Sequence, residues 1–210
     1  MDLRAEFGDI DIYVFDQLIR GRLQPGMRVF DAGCGGGRNL VFLLRQGYRV
    51  FGNDANPAAI AQVRALAADA DFRVEAIEDT SFADASADAV LASAVLHFAR
   101  DDAHFAAMLR AMWRVLKPGG LFFARLASTI GIEHQVRALD TGPAAPKLAP
   151  TAHASGGGRF RLPDGSDRYL VDAAALLAWT ERLGGELLDP IKTTVVHEQR
   201  AMTTWVSRRK

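Results

Sequence analysis

Near the start of the chain, apolar residues recur at Ile10, Val14, Leu18 and Ile19, a helical spacing opened by Asp9 as a candidate N-cap and closed by Gly21. Pro25-Gly26 is then a turn into a short apolar run at 27–30, which reads as a buried strand. Leu40, Phe42, Leu43 and Leu44 predict an apolar helix that stops at Gly47. From there the period alternates. Strands are predicted at 48–52, 72–76, 89–93 and 121–126. Between them lie a helix opened by Asn56-Pro57 and a longer one from Asp101-Asp102 through Phe105, Met108, Leu109, Met112 and Leu116. Strands alternating with helices predict an α/β chain with a largely parallel, doubly wound sheet.

The rhythm breaks at 127–167. Prolines stand at 143, 146, 150 and 163, and glycines fill 156–158. A long irregular stretch inside a compact domain predicts a substrate lid or binding loop. Within it, Arg159-Phe160-Arg161-Leu162 and Arg168-Tyr169-Leu170-Val171 flank Pro163-Asp164-Gly165, the pattern of a short hairpin. Arg161 is a candidate clamp for an anionic substrate, against the alternative of a solvated face. Regular patterning returns with a helix at 173–183 capped by Asp172, followed by two strands at 187–196 and 201–206. The whole chain, 1–210, reads as one domain.

Composition removes several function classes. Lys plus Arg number 25 and Asp plus Glu 25, so no global field draws a polyanion or an anionic membrane, and nucleic acid is not an expected partner. Cys34 is the one cysteine, which rules out an internal disulfide and a multi-cysteine zinc site and fits a reducing cytoplasm. His134 and His153 have no metal-ligand spacing, so no metal is expected. There is no apolar run of about 18 residues and no basic-then-apolar start, so the expectation is a soluble, cytoplasmic protein.

The chemistry concentrates in Val29-Phe30-Asp31-Ala32-Gly33-Cys34-Gly35-Gly36-Gly37-Arg38-Asn39. A strand end runs into an acid, a glycine turn and a helix start, whose free N–H groups and positive dipole end favour an anionic ligand. The dinucleotide pattern G-x-G-x-x-G fails, because Arg38 stands where its last glycine is required. What remains is D-x-G-x-G-x-G. It resembles motif I of the class I S-adenosylmethionine-dependent methyltransferases, and so does Leu116-Lys117-Pro118-Gly119-Gly120 ahead of the fifth strand. The stretch Ser86-Ala87-Asp88-Ala89-Val90-Leu91-Ala92-Ser93 is similar in register to the corresponding strand of that family.

The residues themselves point to a ribonucleoside with a charged tail. Asp54 falls about 20 residues past the first loop glycine, where an α/β nucleotide fold sets an acid against the ribose, and Ala55 is small enough for a base to lie flat. The resemblance implies more. It puts Asp31, Ala32, Gly33, Cys34, Gly35 and Asn39 at the methionine end of S-adenosyl-L-methionine, Ile77 with Glu78 or Asp79 at the adenine, Glu78 being favoured, and Ser93 and Ala94 beside the methyl group. Cys34 reads as a small packing residue, since no histidine near it in sequence would activate it. His97 is a candidate general base, against a histidine satisfied by a local hydrogen bond. Tyr13 and Arg125 are candidate substrate contacts, the alternatives being a core aromatic and a structural ion pair.

The resemblance further implies a seven-stranded mixed sheet of order 3-2-1-4-5-7-6, last strand antiparallel, with helices on both faces. It also implies methyl transfer by in-line displacement; a small-molecule acceptor is expected because no stretch of the chain reads as a dedicated substrate domain. The competing readings are a non-catalytic S-adenosylmethionine-binding protein and, disfavoured by Arg38, an NAD-dependent oxidoreductase. An aminopropyl transferase would need acids after the fourth strand, where Val95-Leu96-His97-Phe98 stands instead.

Overall fold

The computed structural model describes residues 2–139 and 157–210. Two short helices, α1 (Leu3–Phe7) and α2 (Ile12–Ile19), precede β1 (Arg28–Ala32), α3 (Leu40–Arg45), β2 (Arg49–Asp54), α4 (Pro57–Leu66), β3 (Phe72–Val74) and β4 (Ala87–Ser93). Then come α5 (Asp102–Val115), β5 (Leu116–Ser128), β6 (Arg137–Ala138), β7 (Gly158–Arg161), β8 (Asp167–Leu170), α6 (Ala173–Arg182), β9 (Gly185–Leu187), β10 (Lys192–Val196) and β11 (Arg200–Arg209). The main sheet runs β10-β11-β5-β4-β1-β2-β3, with β9 also paired to β11. With β10 as the sixth strand and β11 as the seventh, this is the expected order. β11 is antiparallel to β5.

The central strands are largely apolar because both sheet faces are covered. On β1, β4, β5 and β11 successive residues divide between two cores. Phe30, Val90, Phe122 and Trp205 pack with residues of α5 and α6. Val29, Leu91, Phe123 and Val206 pack with Val14, Leu40, Leu43, Ile60 and Val63 of α2, α3 and α4.

Several boundaries move, each for a local reason. Asp11, not Asp9, caps α2, its carboxylate accepting from the Tyr13 N–H. β1 and β2 extend past their apolar runs to take in Asp31 and Asp54. The segment 117–120 bulges out of β5, since pairing passes from Ala87–Leu116 directly to Ala89–Leu121. The expected sixth strand is broken into β9 and β10 around Pro190, which has no N–H to give a ladder.

The irregular stretch holds a small antiparallel sheet, β6-β7-β8, containing the expected hairpin. Pro143, Pro146, Pro150, His153 and Gly156 lie outside the described residues. Among the described residues, no helix is long and apolar enough to cross a membrane, and no group of three or more His, Cys, Asp or Glu is arranged to hold a metal ion.

Candidate active site

The carboxyl ends of β1, β2 and β4 meet at the glycine loop. Gly33 has φ +67°, and a Cβ there would fall 2.5 Å from Val95 Cγ2. Gly35 has φ +53°, but a Cβ on it would meet nothing within 4 Å, so it faces open space. Hydrogen bonds from the second strand set the loop. The Cys34 N–H donates to the Asn53 carbonyl at 2.9 Å, and the Gly35 N–H donates to Asp54 Oδ2 at 2.9 Å. Asp54 Oδ1 accepts from the Asn56 N–H at 2.8 Å. Asn53 was not legible as a site residue, yet its fully buried amide reaches the Gly33 N–H and the Ala76 carbonyl.

Two loop residues are electrostatically unusual. Asp31 is 2% exposed, and among the described residues its Oδ2 has no hydrogen-bond partner. Burial is the main cause that pushes its carboxyl up to about 7, with Arg38 opposing and Asp54 reinforcing. The Cys34 thiol is raised well above the ordinary thiol range by burial and by the same two acids, so it remains protonated and packs rather than reacts. Asn39, at the start of α3, accepts the Asp11 N–H at 3.0 Å and makes no side-chain cap of its own helix.

Beside the loop is a cavity of about 420 Å³ whose lining includes Gly33, Asp54, Ala55, Ile77, Glu78 and Ala94, six of the residues expected there from sequence. Val95, Phe98, Arg100, His104 and Met108 complete much of the rest. Of the two acids weighed after the third strand, Glu78 lines this cavity, whereas Asp79 is exposed. Ala94 holds φ +63°, a left-handed conformation uncommon for a residue with a Cβ, and its N–H donates to the Arg125 carbonyl at 2.7 Å.

A family model described as a methyltransferase domain matches residues 30–124, from β1 to β5. Over those residues the chain is similar to methyltransferase domains. An uncharacterised methyltransferase of Synechocystis sp. is 35% identical over 100 residues, 48% of this chain and 47% of that protein. A ubiquinone biosynthesis O-methyltransferase of Methylocella silvestris is 40% identical over 115 residues, 51% of this chain and 44% of that one. The chain thus spans about half the length of the curated relatives it matches. In fold, a SAM-dependent methyltransferase from Methanosarcina mazei gives a TM-score of 0.68 at 21% identity, over 91% of this chain and 96% of that one. A Burkholderia thailandensis 1,6-didemethyltoxoflavin-N1-methyltransferase, solved with that compound and S-adenosylhomocysteine, gives 0.67 at 16% identity over 100% and 81%.

Of the remaining candidates, Tyr13, Arg125 and Arg161 lie outside the matched residues 30–124, whereas Ser93 and His97 lie within them. Asp11 Oδ2, on a side chain 1% exposed, accepts from Arg125 Nη1 at 3.1 Å and from Ser93 Oγ at 3.2 Å, with Arg38 Nη2 at 3.5 Å. Arg38 Nη2 also donates to Ser93 Oγ at 3.0 Å. The Arg125 guanidinium lies 5.0 Å from the Tyr13 ring centroid, and the Tyr13 hydroxyl meets Thr194 Oγ1 at 2.6 Å. Asp11 and Thr194 carried no sequence signal, because each matters only through residues distant in the chain.

His97 is 8% exposed and does not line the cavity beside the glycine loop. Its Nδ1 accepts the Ala127 N–H at 3.3 Å, and burial, reinforced by the charge of Arg168, lowers the imidazole to about 4. The ring is therefore neutral at pH 7. Arg161 pairs with Asp167 across the β7–β8 hairpin, Nε to Oδ1 at 2.6 Å and Nη2 to Oδ2 at 2.9 Å, and also stands away from the cavity lining.

Proposed function

We propose that the chain transfers the methyl group of S-adenosyl-L-methionine to a small-molecule acceptor by in-line displacement. The observation that carries this reading is the cavity at the carboxyl edge of the sheet, where two carboxylates, Asp54 and Glu78, face a space bounded by a glycine turn. The residues fit the group. Asp54 can accept from both ribose hydroxyls while keeping its bonds to the loop, because a carboxylate offers about four lone-pair sites. The orphaned Asp31 suits the cationic ammonium end of a methionine moiety. Open space beside Gly35 leaves room for that moiety along the loop.

The sulfonium supplies an already activated methyl, so the protein's work is alignment of the acceptor and exclusion of water. β4 ends at Ser93, and Ala94, in a left-handed conformation, leads into Val95 and Phe98, which line this space with it. Tyr13, Arg125 and Arg161 belong to the elements that would shape the acceptor side. A small acceptor is supported by the Burkholderia neighbour, which holds 1,6-didemethyltoxoflavin, and by the balanced surface charge of this chain. Calorimetry with S-adenosylmethionine, S-adenosylhomocysteine and NAD tests the reading. Binding of both sulfur nucleosides and not NAD is expected; binding of neither would overturn it. A screen of small hydroxyl, amine and carboxylate compounds for S-adenosylhomocysteine release then finds the acceptor.

A further inference from the structure

Glu78 does not stand alone in the cavity. His104, in the first turn of α5, has a side chain only 9% exposed, and its Nε2 lies 2.7 Å from Glu78 Oε1. The ring is fixed from its other side. Asp101 Oδ1 accepts the His104 backbone N–H at 2.7 Å and so caps the helix, and His104 Nδ1 accepts the Arg100 backbone N–H at 3.0 Å. With Nδ1 an acceptor, the proton of the neutral ring must reside on Nε2. That N–H is buried, and it meets the criteria for a hydrogen bond with no group among the described residues. The 2.7 Å contact is therefore close but off the N–H axis, and the short distance decides in favour of an attractive pairing that a small rotation of the carboxylate would align. The Arg100 guanidinium, 69% exposed, stands 3.5 Å from the same oxygen and is largely screened by solvent.

We infer that His104 is a positioning residue for base recognition, holding one oxygen of Glu78 so that the other is presented to the exocyclic amine of the adenine. This rests on the S-adenosylmethionine reading above. A carboxylate held on one side by a fixed donor has fewer rotamers to lose when a base arrives, and accepts better from an amine than from the carbonyl of a 6-oxo purine, which has no hydrogen to give. The sequence signal is weak: a histidine three residues after a capping aspartate reads only as part of a helix start.

The test compares S-adenosylhomocysteine with S-inosylhomocysteine, its 6-oxo counterpart, on the full chain by calorimetry. The unaltered protein should prefer the amino nucleoside by roughly tenfold or more. His104→Ala should reduce that preference severalfold, His104→Gln, which keeps a donor, should restore most of it, and His104→Ala should add little once Glu78→Gln is present. A merely structural role would weaken both nucleosides equally and leave their ratio unchanged, and that result overturns the inference. So does a His104→Ala protein with an unaltered ratio. If the unaltered chain binds neither nucleoside, the cofactor reading itself fails, and this inference with it. Melting curves of each variant separate loss of fold from loss of selectivity.

Discussion

Asp11 and Arg125 are 114 residues apart in sequence, yet Asp11 Oδ2 and Arg125 Nη1 are 3.1 Å apart at the mouth of the sheet. One belongs to the cap of the leading helix and the other to the fifth strand, so this ion pair fastens α2 across the end of the matched domain. Removing Arg125 would leave the buried Asp11 carboxylate with the Tyr13 N–H, the Ser93 hydroxyl and a half-exposed Arg38 at 3.5 Å. Arg125→Ala should therefore destabilise the fold, but by less than the roughly 3–5 kcal/mol that leaving a buried charge uncompensated costs, because these partners remain. Urea unfolding measures it. A midpoint equal to that of the unaltered chain would show the pair to be ornamental and return Arg125 to the pool of free acceptor contacts.

Asp31 and His97 act on stability in opposite directions as pH changes. Asp31 titrates near 7 in the fold and near 4 when unfolded, so the folded state holds the extra proton and stability falls as pH rises from about 4 to 7. His97 titrates near 4 in the fold and near 6.5 when unfolded, so the unfolded state holds the extra proton and stability rises over about 4 to 6.5. Each effect is a few kcal/mol at most, and they offset to within about 1 kcal/mol. The unaltered protein should thus show a nearly flat melting temperature between pH 4.5 and 6.5, a window taken from those values. Asp31→Asn should rise in stability with pH across it, and His97→Gln should fall. Parallel profiles for the two variants would contradict both assignments.

Much of this was readable in the sequence because it depends on neighbours in the chain. The glycine loop, the acid after β2 and the helix stop before β5 are local patterns, and residues 30–124, the span of the family match, follow them closely. Asp54 was reached from its place at the end of the second strand, and Glu78 only through the family resemblance, in competition with Asp79. Asn53 and His104 were missed, since an amide inside a strand and a histidine inside a helix start look ordinary until the neighbouring loop is folded over them. The interdigitated Asp11, Arg38, Ser93 and Arg125 set was invisible for a sharper reason. Its members come from a helix cap, the glycine loop and two strands, and no periodicity relates them.

Asp54 carries two loads that a single substitution separates. Its Oδ2 holds the Gly35 N–H and its Oδ1 the Asn56 N–H, both backbone donors at helix or loop starts. Asp54→Ala should weaken S-adenosylhomocysteine binding by about 1–3 kcal/mol through loss of charge-assisted acceptors. Asp54→Asn keeps one acceptor oxygen and should recover part of the stability but little of the affinity. Calorimetry beside thermal melting reads the two separately. An Asn variant with full affinity would argue against a ribose contact.

The two loop glycines should fail differently on substitution. At both positions an alanine must adopt positive φ, which costs about 1–2 kcal/mol on backbone grounds alone. At Gly33 the new Cβ would also be driven to 2.5 Å from Val95 Cγ2 and 3.3 Å from Ile77 Cδ1, so β4's exit and the cavity floor must shift together. At Gly35 it would enter open space. Gly33→Ala is therefore expected to lose several kcal/mol of stability, the overpacking penalty adding to the strain. Gly35→Ala should unfold only about 1–2 kcal/mol earlier yet bind S-adenosylhomocysteine at least tenfold more weakly, because its methyl takes space the ligand requires. Should Gly35→Ala bind with unchanged affinity, the methionine moiety does not run along the loop, and Asp31 would need another cation to explain its burial.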